Sequence, residues 1–279
     1  MSRNFRSLGP WRPLLGILAC LHADAAAAAE PFGIGGQWQL VFNEDFDAPL
    51  SPDKWTSCYW WDNDGCTNLG NSELQWYRPE NVIVSDGQLI LRAKQESVTG
   101  HEGRIYDYTS GMVTSGRHYS ERTGTDRFAT TYGYFEIRAK VPAGKGLWSA
   151  FWLLPSSQKS KPEIDVMEVL GHATDVLEMH AHYLDADGAS QNPGSEVRVP
   201  DMSKEFHTFG LDWRRDAIVW YFNGEEKWRY SVAEHISKEP MYILLNLAVG
   251  GEWPGSPEAS TRFPADYIID YVRVWKRRR

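Results

Sequence analysis

The chain is 279 residues long, and because single β-sandwiches and barrels reach about 250 residues, length alone admits one domain or two. Its net charge is -8, and residues 30–279 hold 26 basic side chains against 36 acidic ones, which argues against electrostatic binding of nucleic acid. With 42% hydrophobic residues, 13 Trp, 13 Tyr, 11 Phe, 24 Gly and 15 Pro, the composition favours many short strands and turns over a helical bundle, a coiled coil, a disordered chain or a multi-span membrane protein.

Residues 1–29 read as a secretory signal peptide. Arg3, Arg6 and Arg12 precede an apolar run from Pro13 to Leu21, and Asp24 and an alanine run follow, which is the order of n-region, h-region and cleavage zone. A spanning helix needs about 20 apolar residues. The run is too short for one, so the segment predicts secreted or periplasmic protein, with no membrane span and a mature start near Glu30. Ile17-Leu18-Ala19-Cys20 partly resembles a lipobox, although Leu18 fits it poorly, and lipidation at Cys20 is the alternative. Past the leader, only Cys58 and Cys66 remain. An even cysteine count in an exported chain predicts a disulfide closing a short loop. The competing reading, a metal site, has two sulfurs and no nearby histidine.

Strand-like segments then follow at 37–43, 82–84, 88–94, 132–140, 147–154, 163–169, 176–183, 207–213, 217–222 and 268–275, with turn signals between them. Asn223-Gly224 is a strong hairpin signal, because both residues readily adopt positive φ. Only 232–237 suggests a helical turn. No linker or repeat divides residues 30–279, so the expectation is a single domain, all-β, built as an antiparallel two-sheet sandwich with one face free for a ligand.

Glu163-Ile164-Asp165-Val166-Met167-Glu168-Val169 sets three acids among strand-forming apolar residues. Strict alternation puts Glu163 and Asp165 on one face but sends Glu168 into the core, where an unpaired carboxylate costs several kcal/mol. A β-bulge at Val166-Met167 returns Glu168 to the face of the other two. The bulged step advances about 13 Å at about 3.3 Å per residue. Two glutamate side chains reaching roughly 4 Å toward each other then end about 5 to 6 Å apart, the separation used by retaining glycosidases. Asp165 between them can hold a proton or bond a glutamate, and the crowding of like charges raises at least one pKa. A solvated acidic face and a calcium site are the alternatives. In 147–154, alternation places Trp148, Ala150 and Trp152 on one face, where two tryptophans can stack on successive sugar rings or else fill a core.

EIDVME resembles the E-I-D-x-x-E active-site signature of glycoside hydrolase family 16. The resemblance continues through NSELQWYRPENV, YGYFEIRAKVPAGKGLWSAFWLLP, FHTFGLDW, NLAVGGEWPG and DYVRVW, and so spans essentially the whole mature chain. It implies a concanavalin-like β-jelly roll with a concave substrate cleft, Glu163 as nucleophile, Asp165 as the acid that assists it and Glu168 as general acid/base. Met167 is the extra residue of the bulged, laminarinase-like branch. Trp148 and Trp152 become cleft aromatics, Asn71 and Arg78 sugar hydrogen-bonding residues, Trp253 a platform at a more distant subsite, and His182 a cleft residue near the acid/base. The resemblance also implies a structural calcium on the convex side, with Asp270 as side-chain ligand beside backbone oxygens near Gly36 and Glu44, and no cofactor for catalysis. The implied partner is a polysaccharide, a β-1,3- or mixed-linkage glucan, acted on by a monomer. An exopolysaccharide, suggested by EIDVMEVLGH and Tyr59-Trp60-Trp61, is the enzymic alternative, and carbohydrate binding without catalysis is the non-enzymic one.

Overall fold

Period-two burial builds the strands. Gln88–Ala93 buries Leu89, Leu91 and Ala93 and leaves their neighbours part-exposed, as a strand with one face on a core must. The computed structural model describes Met1 and residues 30–61, 65–121 and 124–278. The leader beyond Met1, with Cys20, falls outside the described residues.

Two antiparallel sheets stack face to face, each with eight strands among the described residues. One, the outer sheet, runs Glu225–Tyr230, Ile218–Phe222, His207–Trp213, Gly133–Lys140, Ala265–Arg277, Gln88–Ala93, Val82–Ser85, with Trp38–Glu44 also paired to Ala265–Arg277. The other, the cleft sheet, runs Ser190–Gln191, Val176–Leu184, Glu163–Leu170, Leu147–Pro155, Met241–Val249, Met112–Thr114, while Gly194–Arg198 joins Val176–Leu184 and Ala129–Thr130 joins Met241–Val249. One apolar core takes Phe151, Leu153, Ile164 and Val169 from the cleft sheet and Phe209, Leu211, Val272 and Val274 from the outer sheet. The expected all-β jelly-roll sandwich is therefore the observed fold.

Two differences from the sequence reading matter. Met241–Val249 was not among the expected strands, yet it is central in the cleft sheet and buried at every position. Covered on both faces, it has no polar alternation to reveal it. At 232–237 a turn closes with His235 N donating to the Val232 carbonyl at 3.0 Å, and no helix forms there. The Asn223-Gly224 hairpin is present, with φ of 50° and 77°.

The bulge in Glu163–Leu170 positions the site. Phe151 pairs with Met167 and Trp152 with Asp165, which leaves Val166 as the extra residue. On the other side the register steps from Asp165 opposite His180 to Glu168 opposite Glu178. Val166 and Met167 both enter the core, at 2% and 0% exposure. The break in the ladder is covered from across the sandwich, where Trp220 Nε1 donates to the Asp165 carbonyl at 2.8 Å, so the buried carbonyl is not left unpaired.

Candidate active site

Glu163, Asp165 and Glu168 line one cleft of about 570 Å³. Asp165 is 3% exposed and Glu168 7%, so three carboxyl groups share a site with little water to screen them. Burial first, and then the charge of Asp165, pushes the Glu163 carboxyl up to about 8. Burial and the charge of Glu168 hold Asp165 well above the usual carboxylate range, against the pull of His180 and of a hydrogen bond with Glu163. The pair shares a proton at neutral pH, and Asp165 can carry it while hydrogen-bonded to Glu163. Two histidines from Val176–Leu184 complete the floor. His182 Nε2 lies 2.8 Å from Asp165 Oδ2 and 3.7 Å from Glu163 Oε1, and burial lowers its pKa despite the Glu163 charge. His180 Nδ1 lies 2.9 Å from Glu168 Oε2.

Trp148, Ala150 and Trp152 face the cleft, while Leu147, Phe151 and Leu153 face the core. Trp152 is fixed by its indole N–H, which donates to Asn246 Oδ1 at 2.8 Å, and Asn246 Nδ2 in turn donates to the Tyr77 hydroxyl at 3.1 Å. Trp152→Phe should weaken oligosaccharide binding severalfold in KM, while the lost hydrogen bond costs only about 1 kcal/mol of stability. A melt and a Michaelis plot on the same variant check both. Collapse of stability with unchanged KM would make Trp152 a packing residue.

Beside Trp152, Tyr59, Trp60 and Trp61 also line the cleft. Tyr59 stacks on Trp61 at 4.3 Å and 12°, and Trp61 meets Trp152 edge-on at 6.4 Å. A Cys58–Cys66 disulfide closes this loop, with Cα atoms 4.5 Å apart, as the cysteine count predicts. Gly65 is required here, since its φ is +65° and a Cβ would fall 1.7 Å from the Tyr59 carbonyl oxygen. Replacing both cysteines by serine should cost about 2 to 3 kcal/mol for a loop this short. The same change should raise KM more than it lowers kcat, because the loop brings the Tyr59, Trp60 and Trp61 rings to the cleft while Glu163, Asp165 and Glu168 stand on another strand; urea melts and kinetics on the double variant check this.

Residues 71–273 match the family described as Glycosyl hydrolases family 16. The chain belongs to that family. Among curated proteins, it is 34% identical to a Beta-glucanase of Rhodothermus marinus over 86% of this chain and 85% of that one. It is 37% identical to the Endo-1,3-1,4-beta-glycanase EglC of Rhizobium meliloti over 84% of this chain, but spans only 51% of that relative. Among solved structures, the laminarinase catalytic domain of Thermotoga maritima superposes with a TM-score of 0.76 at 35% identity, covering 87% of this chain and 100% of that one.

Family 16 membership gives the expected site residues a common frame, and the structure gathers most of them. Asn71, Trp148, Trp152, His182 and Trp253 line the same cleft as the three acids. Asn71 Nδ2 donates to Glu73 Oε1 at 3.0 Å. Trp253 is 41% exposed and meets Trp148 edge-on at 5.3 Å. Arg78 is not brought to them: its guanidinium pairs with Glu80 at 3.1 Å, and it does not line the cleft. The carboxylate of Asp270, the side chain expected to hold a structural calcium, pairs with Arg138 at 2.7 Å. The sole group of His, Cys, Asp and Glu close enough to hold a metal among the described residues is Asp165, His180 and His182, inside the cleft.

His180, Glu73, Asn246 and the Tyr59 to Trp61 rings also line the cleft, beyond the residues expected there. His180 was open to the period-two rule, since it must share a face with His182. Asn246 is the one polar residue in Met241–Val249 and is 4% exposed, a mark of a buried hydrogen-bonding task.

Proposed function

We propose that the protein is an exported, endo-acting retaining β-glycanase that cleaves internal β-1,3 or mixed 1,3-1,4 linkages of a glucan by double displacement. The observation that carries this reading is the bulged strand, which turns Glu163, Asp165 and Glu168 into one cleft walled by Trp148 and Trp152. Sugar rings stacked on the indoles are held with a glycosidic bond over the acids. Glu163 attacks the anomeric carbon as Glu168 protonates the departing oxygen, giving a glycosyl ester on Glu163. Glu168, now ionised, takes a proton from water, which attacks the anomeric carbon, breaks its bond to Glu163 and releases a sugar of retained configuration with the Glu163 carboxylate restored. Asp165 holds the proton that would otherwise sit on Glu163 and so keeps the nucleophile ionised at the moment of attack. No step calls on a metal or cofactor.

The names of relatives support a glucan: a Beta-glucanase, an Endo-1,3-1,4-beta-glycanase and a laminarinase. Export is supported by the disulfide and by the leader sequence, and no helix among the described residues is long and apolar enough to cross a membrane. The test is digestion of laminarin, lichenan and a succinoglycan-type exopolysaccharide. Internal cleavage of laminarin or lichenan into a ladder of oligosaccharides is expected. Cleavage of the exopolysaccharide alone would move the assignment to a depolymerase, and tight binding without products would make the cleft a carbohydrate-binding site.

A further inference from the structure

His180 and His182 stand two residues apart on Val176–Leu184, so both rings point into the cleft, but their partners differ. His182 addresses the nucleophile side, Asp165 and Glu163. His180 addresses Glu168 alone among the acids by a direct hydrogen bond, Nδ1 to Oε2 at 2.9 Å. In register, His180 sits opposite Asp165, while Glu168 sits opposite Glu178. The bond therefore crosses the sheet diagonally, and it is the bulge that brings the two side chains together.

The surroundings hold the imidazole in that direction. Gly194 is its register partner on Gly194–Arg198. A Cβ at 194 would fall 2.2 Å from His180 Cδ2 and 2.8 Å from Nε2, so the ring occupies the space that a side chain there would need. Trp253 closes another side, edge-on at 6.0 Å, and Trp253 also touches Trp148. With Glu168 and His180 side chains at 10% and 21% exposure, water competes little for the bond, and a carboxylate hydrogen bond of this kind is among the stronger ones.

A general acid/base must present one carboxyl oxygen to the glycosidic oxygen and hold the other still, since a small misplacement costs rate steeply. We propose that His180 is the positioning residue of Glu168, its Nδ1–H fixing Oε2 so that Oε1 is the oxygen that gives and then takes the catalytic proton, with Gly194 keeping the space in which the imidazole lies. This rests on the reading of Glu168 as acid/base. Burial acts to lower the His180 pKa, but the hydrogen bond and charge of Glu168 outweigh it and the net direction is up. Neutral or cationic, His180 can keep a proton on Nδ1.

The test uses the full chain with His180→Ala and with His180→Asn, whose amide nitrogen can stand where Nδ1 does. Each is assayed on a laminari-oligosaccharide, with a sugar leaving group, and on a dinitrophenyl glycoside, which needs no acid assistance. His180→Ala should lose about 10- to 100-fold in kcat/KM on the oligosaccharide with KM nearly unchanged, and less than about 3-fold on the aryl glycoside. His180→Asn should recover most of the loss, and melting points of both should stay near that of the parent. Equal losses on the two substrates, or an asparagine variant no better than alanine, would overturn the proposal and leave His180 a packing residue. Glu168→Ala run alongside separates the two readings. Without leaving-group dependence there, the acid/base assignment falls and this proposal with it; dependence there but not in His180→Ala overturns this proposal alone.

Discussion

Glu163→Ala lowers kcat on laminarin by more than about 10⁴-fold, the scale expected when a nucleophile is deleted from a working constellation, and azide returns turnover on an activated β-glycoside as the α-azide. The inversion follows because azide enters from the side the carboxylate held and only one displacement remains. Glu168→Ala fails in another way. With a sugar leaving group it loses about 10²- to 10⁴-fold, the usual contribution of a positioned proton donor, while a dinitrophenyl glycoside still glycosylates Glu163. Azide then attacks the accumulated ester and gives the β-azide, with retention. Asp165→Asn keeps the covalent route at reduced rate, because Asp165 stores a proton rather than forming a bond. Proton NMR of the first-formed anomer from the intact enzyme checks the frame of all three. An α-anomer would remove Glu163 from the nucleophile role whatever the variants do.

The acid strand was legible in the sequence because burying a charge is costly. An acid at position 168 cannot be both on a regular strand and out of the core, so the bulge could be placed before any coordinates, and the observed register shift falls at Val166 and Met167. The Trp148 and Trp152 faces were legible for the same reason, as period two fixes sides. Partners across strands were not. Nothing in the order of residues says that Trp220 caps the Asp165 carbonyl, that Asn246 holds Trp152 or that His180 meets Glu168, since register between segments tens of residues apart is set by the whole sandwich. Arg78 shows the limit of a motif. It lies in a segment resembling family 16, yet it pairs with a local charge, Glu80, away from the cleft lining, and a charge pair depends on what else the fold brings within about 4 Å.

The same crowding that serves the chemistry should weaken the fold, and Glu163→Gln should show it as a gain in stability that grows with pH. In the folded protein the Glu163 carboxyl is raised to about 8 from 4.5, first by burial and then by Asp165. Between those pH values the folded Glu163 and Asp165 pair keeps a proton that the unfolded chain releases, so unfolding is favoured more and more as pH rises. Below about pH 4 the difference vanishes because both states are protonated, and above about pH 8 it reaches its full size. The gap corresponds to about 4 to 5 kcal/mol, and because the Glu163 side chain is 25% exposed and shares its proton with Asp165, the gain should be about 2 to 3 kcal/mol. Glutamine keeps the shape and removes the charge, so its unfolding midpoint at pH 9 should exceed the parent's by about 4 to 10 °C, with the two curves meeting near pH 4. Melts of parent and variant across that range decide it. A difference that is flat with pH would mean that the carboxyl is not strained in the folded state, whereas a difference that opens above pH 5 ties the loss of stability to the charge that attacks the sugar.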